Sequence, residues 1–153
     1  GAVPAGSTVD SATLTLMVSR SSTDEQPISL YELLAAWSAG ASDAETNEGK
    51  GALALAGDAT WDSTGLGGTW ATAGGDHGQT PLGTSSVAAS GTTSTWELGA
   101  LVQRWVDEPA SNHGVLLIGN EEAEHTAKRF DALENISGFP VPHPPILTIH
   151  YTP

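Results

Sequence analysis

Apolar and polar residues alternate along much of this chain, in short stretches that are separated by turn residues. The clearest alternation covers residues 9–20. Every second residue from 12 to 18 is apolar, and these residues share one face: Ala12, Leu14, Leu16 and Val18. A period of two is that of a strand with one buried face and one solvated face. We predict further strands over residues 28–34, within 85–96, and over 127–131 and 146–151.

A helix is predicted over residues 95–107. Its apolar side chains follow the spacing of one helix face: Leu98, Leu101, Val102 and Trp105. Ser94 and Glu97 have the form of a capping box at its start, and Pro109 is expected to end it. The apolar run 115–118 is too short for a helix, so we predict a strand that is buried on both faces.

The chain as a whole is typical of an all-β protein, because glycine, serine and threonine are abundant and its apolar stretches are short. We predict one antiparallel β-sandwich over residues 1–153, with the single short helix packed against it. Residues 39–91 show little periodicity and are expected to form long loops, where binding residues commonly lie. The proline-rich stretch 138–145 is predicted to be a connector, because proline cannot join a strand ladder.

The charge and composition of the chain limit the kinds of partner that it can bind. The 153 residues include 18 acidic and five basic side chains, which gives a net charge of −13. A polyanion of this kind repels nucleic acid and anionic membrane, so neither is expected as a partner. There is no cysteine for disulfides or thiolate chemistry, and no apolar run of about 18 residues to insert into a membrane. The first residues lack the features of a signal peptide, so we expect that none was made or that it was removed.

Several motifs in order resemble a known family. They are VPAGSTVDSATLTLMV, LLAAWSAGAS, GDATW, LVQRWVDEPASNHGVLLIGNE, AKRFDALEN and PILTIHY. This series resembles the DNRLRE-type domain, a secreted bacterial and archaeal module related to disaggregatase-type repeats and to some polysaccharide-binding modules. The resemblance implies a jelly-roll-like sandwich, a secreted or cell-surface location, and a non-catalytic module that binds a polysaccharide or another glycan.

One departure from that family concerns the start of the chain. Domains of the family usually have further strands before the turn that is found here at residues 3–6. A sandwich without those strands would expose a strand edge and a row of apolar side chains. Three explanations stay open: the chain is a fragment, the strands lie outside this sequence, or another subunit donates them. The last predicts a structural subunit of an extracellular assembly or filament.

The candidate ligand-binding residues are mostly in the predicted loops: Trp61, Trp70, Asp76, His77 and Arg129. An exposed indole can stack on the apolar face of a pyranose ring, and its N–H tolerates a wet edge. Arg129, on a predicted strand, would hold an acidic sugar. The alternative interpretation is core packing for the tryptophans, a solvated histidine, and a salt bridge between Arg129 and neighbouring carboxylates.

Three loop carboxylates could offer hard oxygen ligands to Ca²⁺: Asp58, Asp62 and Asp76. No EF-hand spacing accompanies them, and aspartate is also common in turns without any metal. A calcium site and simple turn roles are therefore both open.

Nothing in the sequence indicates an enzyme. The chain lacks a G-x-S-x-G elbow, a phosphate-binding loop and a dinucleotide-binding glycine pattern. The acidic residues at 107–108 and 121–124 are interpreted as solvated surface, because sequence spacing cannot place two carboxyl groups across a cleft. We predict a binding module without catalytic residues.

Overall fold

A computed structural model describes residues 3–22, 25–42, 51–120, 122–133 and 143–153. Most regular structure is in strands, which form two antiparallel sheets, as the alternation predicts. The elements are β1 (Thr8–Ser21), β2 (Gln26–Glu32), β3 (Gly83–Val87), β4 (Thr93–Glu97), α1 (Gly99–Asp107), β5 (Val115–Ile118), β6 (Lys128–Phe130) and β7 (Ile146–Thr152). A short 3-10 helix, Pro109–Ser111, follows α1. No helix in these described ranges is long and apolar enough to cross a membrane.

The first sheet is built around β1, which is the longest strand at 14 residues. One edge of β1 pairs with β4, in a register that places Leu14 opposite Trp96. The other edge pairs first with β7 and then, beyond Thr15, with β6. A register shift between Val18 and Arg20 marks a bulge where β6 pairs with β1. One long strand therefore organises this sheet.

The second sheet has β2 in the middle, between β3 and β5. On the inner face of β2, Ile28 and Leu30 are buried. β5 pairs with β2 alone in the described part of the chain, and each of its four residues is half-buried. The prediction of a strand over 115–118 is confirmed, but the prediction that both its faces are buried is wrong. An edge strand of a short sheet has too few neighbours for that.

The core lies between the two sheets and under α1. Its buried apolar side chains are Ala12, Leu16, Val18, Ile28, Leu30, Val87, Trp96, Leu98, Leu101 and Val102. The Trp96 indole crosses this core, because its Nε1–H donates a 3.0 Å hydrogen bond to the Ile28 carbonyl of the other sheet. Burial of the apolar side chains removes their surface from water, which is the main force that holds the sheets together.

The start of the helix differs from the prediction over 95–107. Residues 93–97 form β4, and α1 begins at Gly99 after Leu98, with no side-chain cap. Ser94 and Trp96 are buried, whereas Thr95 and Glu97 are exposed. Burial therefore alternates with the period of two that is typical of a strand. Glu97 lies opposite Thr13 of β1, whose hydroxyl donates to the Glu97 carboxylate at 3.0 Å. The capping-box prediction is therefore wrong.

The segment 85–96 also divides in two. β3 belongs to the second sheet and β4 to the first, and a turn over residues 88–92 joins them. Val18 fixes that turn, because its N–H donates to Thr92 O and its C=O accepts from Gly91 N. The predicted strand over 127–131 is confirmed as β6. Residues 138–142 of the predicted connector lie outside the described residues.

Candidate functional site

The long loop between β2 and β3 carries most of the candidate residues. It is described over residues 33–42 and 51–82, and its only ladder-like contacts there are single bridges from Leu33 to His77 and from Ser63 to Thr69. A further backbone bond joins Leu34 N–H to Asp76 O at 2.8 Å. The two ends of the loop are thus pinned together beside the end of β2.

Asp58 organises the interior of the long loop. Its carboxylate is buried, with 5 % of the residue exposed. Oδ1 accepts hydrogen bonds from the N–H groups of Ala41 and Ser42 at 2.8 and 3.3 Å, and Oδ2 accepts from Leu55 N–H at 2.6 Å. The bonds from Leu55 and Ala41 are the main reasons that the pKa of Asp58 falls from 3.8 to about 2, because they favour the charged form. The Asp58 carboxylate therefore joins residues 41–42 to residue 55 by hydrogen bonds, as backbone carbonyls would in a strand ladder.

Asp76 also accepts hydrogen bonds from backbone N–H groups, nearer the end of the long loop. Its Oδ1 accepts from Thr72 N–H at 2.7 Å and its Oδ2 from Ala71 N–H at 3.0 Å. Asp62 is exposed, and its carbonyl accepts from Trp70 N–H. In the described residues no three histidine, aspartate or glutamate side chains are grouped closely enough to hold a metal. The predicted calcium site thus gains no support, and the observed role of Asp58 and Asp76 is to hold backbone.

Trp61 is the most exposed tryptophan of the loop, at 62 %. The six-membered part of its indole lies against Gly74: a Cβ placed on that glycine would come within 2.8 Å of two ring carbons. Gly74 has a φ of +91°, and its N–H donates to Trp61 O at 2.6 Å. The absence of a side chain at Gly74 therefore lets backbone support the ring while much of the indole meets solvent.

The other loop aromatics are more enclosed or are tied to the sheet. Trp70 is half-buried, and its Nε1–H donates to Thr60 O at 2.9 Å. His77 contacts the Tyr31 ring at 4.8 Å between centroids, and its Nδ1 lies 2.8 Å from Gly78 O. Trp61, Trp70, Asp76 and His77 are thus brought to one end of the sandwich. Trp61 is the member of this group that presents a broad exposed surface.

Arg129 lies at the opposite end. It is on β6 and faces Arg20 across the ladder, just before β1 passes into the connection to β2. The long loop, in contrast, leaves from the far end of β2. A cleft of about 430 Å³ is lined here by Arg20, Ser22, Ala127, Lys128 and Arg129, and we call it the arginine cleft.

Arg129 was a candidate from the sequence and Lys128 is its neighbour in the chain, but nothing in the sequence indicated that Arg20 lies beside them. Three of the five basic residues of the chain line this one cleft. The proximity of Arg20 to the other two could not be read from spacing, since β1 and β6 are more than 100 residues apart in the chain. Only the β1–β6 pairing brings them together.

No protein-family model, curated protein or solved structure matches this chain. The resemblance to the DNRLRE-type domain rests on the sequence motifs and stays a hypothesis.

Proposed function

We propose that this chain is a non-catalytic binding module that holds a polysaccharide or another glycan through the long loop, with Trp61 as the stacking platform. The observation that carries the proposal is the exposed Trp61 indole supported from behind by Gly74. A sugar ring can contact such an indole through its C–H groups while its hydroxyls stay in water. The resemblance to a glycan-binding module favours the same class of ligand.

The order of the loop also favours binding. Asp58 and Asp76 hold the loop backbone through five hydrogen bonds to N–H groups. A loop that is already fixed loses less conformational entropy when a ligand binds. The same bonds engage these two carboxylates with backbone, which suits a scaffold role better than acid–base chemistry. A secreted or cell-surface location is part of this proposal and rests on the resemblance.

Retention on immobilised polysaccharides tests the proposal. Trp61→Ala should abolish retention of the chain on the polysaccharide that it binds, with little change in melting temperature, because the indole is mostly exposed. Leu66→Ala is the matched control: Leu66 is in the same loop, is 61 % exposed, and should retain like the wild type. Wild-type chain that passes through a broad panel of polysaccharides without delay, or equal retention of Trp61→Ala, would refute the proposal.

A second candidate function, a structural subunit completed by a donated strand, is supported by β7. Leu147 pairs with Leu14, so it shares the inner face of the first sheet, yet it is 42 % exposed. Tyr151 is four residues after Leu147 on β7, so it is on the same face, and it is 41 % exposed. β7 pairs only with β1 in the described ranges, so its outer edge offers backbone groups to another strand.

Sedimentation of the 153-residue chain separates the two candidates. A subunit that exchanges strands should form large species that survive dilution, and Leu147→Lys should dissociate them. Lysine at Thr148, an exposed position whose side chain points to the other face, is the control for added charge. A monomer that unfolds cooperatively would exclude strand donation and would leave glycan binding untouched.

A further inference from the structure

Trp37 is a second tryptophan of the long loop with an exposed indole. It lies shortly after the end of β2, and 43 % of the residue is exposed. Its Nε1–H donates to His113 O at 2.9 Å, so the backbone before β5 holds one edge of the ring. Gly114 lies beside that edge, where an added Cβ would be 3.8 Å from Nε1. The bonded edge limits how the indole can turn, while much of the ring still meets solvent.

Two backbone hydrogen bonds join the segment of Trp37 to the turn that carries Trp61. The residue after Trp37 is Ser38, whose N–H donates to Thr64 O at 2.9 Å. The Ser38 carbonyl accepts from Ala59 N–H at 3.0 Å. Residues 59 and 64 flank Trp61, so these bonds hold the two tryptophans on neighbouring segments. The few residues between them and the Ser38–Ala59 bond limit the separation of the two tryptophan Cα atoms to less than about 20 Å.

Leu33, directly after β2, links the glycines that lie against the two indoles. Its N–H donates to Gly114 O at 3.1 Å. Its side chain lies against Gly75, where an added Cβ would be 3.5 Å from Leu33 Cδ2. Gly75 follows Gly74, which supports the Trp61 ring. The supports of both indoles are thus attached to one buried residue at the end of the second sheet.

The charge of the long loop favours a neutral ligand. Residues 33–82 include six acidic side chains and one basic side chain, Lys50. Asp62 is next to Trp61 in the chain and is exposed. An acidic glycan would be repelled by this loop as well as by the net charge of −13. A neutral sugar has no charge to be repelled, and it can still stack on an indole through its C–H groups.

We propose that Trp37 is a second stacking platform, and that a neutral polysaccharide lies across Trp37 and Trp61 with several sugars bound at once. This inference rests on the proposed glycan function, to which it adds the chain length and the charge of the ligand. Once one sugar is stacked on Trp61, the second indole meets the same chain at a high effective concentration. Long chains should therefore bind more tightly than short ones.

Oligosaccharides of graded length test the second platform. The probes are fragments of two to eight sugar units from a neutral polysaccharide that retains the wild-type chain, and calorimetry measures their affinities. The wild-type affinity should rise by about tenfold or more from the shortest to the longest fragment. Trp37→Ala should bind the shortest fragment like the wild type and the longest about tenfold more weakly, because one stacking contact is lost. Trp61→Ala should lose the binding of every fragment.

Further variants separate stacking from structure. Trp37→Phe keeps an aromatic face but loses the N–H donor to His113 O, so it should keep most of the gain in affinity with length. Leu34→Ala is the matched control, because Leu34 is an exposed apolar residue of the same segment and should bind like the wild type. Melting curves check that each variant folds. Trp37→Gln keeps a donor for His113 O, and it provides a second test if Trp37→Ala does not fold.

The outcomes distinguish this inference from the proposed function. Equal affinity of wild type and Trp37→Ala for the longest fragment, with Trp61→Ala unable to bind it, would overturn the second platform and leave the proposed function standing. A wild-type affinity that does not change with length would do the same. If no polysaccharide of the panel retains the wild-type chain, both are wrong. Preference for polygalacturonate or dextran sulfate over neutral polysaccharides at equal ionic strength would contradict a neutral ligand.

Discussion

The two sheets and the long loop keep their shape by opposite means. In the sheets, backbone groups pair with one another and apolar side chains such as Leu30 and Val87 are completely buried. In the loop, Asp58 and Thr64 are buried while Leu53 and Leu66 are exposed. A segment without a ladder must satisfy its N–H groups with side chains, so a carboxylate takes the central place that a leucine has in the sheets.

This difference determines where a ligand can bind. The sheets use their apolar surface for folding, so little of it remains for partners, except on β7. The loop leaves apolar groups such as Trp61 at the surface because its order depends on polar contacts. Exposed apolar groups on a fixed backbone are typical of a binding site. The stability of the loop should therefore respond to charge and pH, and that of the sheets to side-chain volume.

The largest effect is expected from Leu30→Ala. Leu30 is fully buried in the middle strand of the second sheet, so the change removes buried methyl groups and leaves a cavity. We expect a loss of about 2–5 kcal/mol in the free energy of unfolding. Urea denaturation followed by tryptophan fluorescence measures it. A loss below about 1 kcal/mol would mean that the core is not packed as described.

Gly40→Ala tests the contact between the loop backbone and Asp58. Gly40 has a φ of +71°, and an added Cβ would lie 1.8 Å from Asp58 Oδ1. Backbone strain and the displaced carboxylate should together cost about 1–3 kcal/mol. Gly51→Ala is the matched control, because Gly51 has a φ of +76° with open space around it. Equal losses for the two variants would contradict a close approach to Asp58.

A smaller, pH-dependent effect is expected from Asp58→Asn. The folded state lowers the pKa of Asp58 from 3.8 to about 2, so its ionised form stabilises the fold above pH 3.8. That contribution is lost as the pH falls from 3.8 through 2, when the carboxyl is protonated in both states. The difference in melting temperature between wild type and Asp58→Asn should thus be constant above pH 5 and shrink toward pH 2.

The exposed Asp62 provides the control for that series. Asp62→Asn removes the same charge from the same loop, so it reproduces any effect of net charge alone. A melting difference for Asp58→Asn that does not depend on pH would show that its carboxylate does not hold the loop.

The smallest effect is expected from Leu53→Ser. Leu53 is a leucine in the loop, like Leu30 in the sheet, but it is 91 % exposed. We expect the free energy of unfolding of the Leu53→Ser variant to stay within about 0.5 kcal/mol of the wild-type value. A larger loss would show that the loop has an apolar core of its own, and the contrast with the sheets would then fail.

Much of the fold followed from local pattern. The alternation over 9–20 predicts β1 and its inner face, because a period of two assigns side chains to faces without any knowledge of the partner strand. The same reasoning locates β2 and β7. It failed at Ser94, whose spacing from Glu97 suits a helix cap as well as a strand. The neighbouring β1 ladder decided between those two structures.

The candidate site was less predictable. Sequence reasoning placed Trp61 and Trp70 in a glycine-rich loop, but both have the same local chemistry. Which of them stays exposed depends on Gly74, which supports Trp61, and on Thr60, whose carbonyl accepts from the Trp70 indole. Such contacts join residues that have no periodic relation, so no pattern reveals them.

The amino-acid sequence by itself determined that this is an acidic, strand-rich chain with one amphipathic helix and an aperiodic loop, because these properties are local. The tertiary structure alone decided that Arg20 and Arg129 share a cleft, and that the long loop lies at the other end of the sandwich. Strand pairing caused this, since a ladder between distant segments and one bulge in β1 fix which side chains meet.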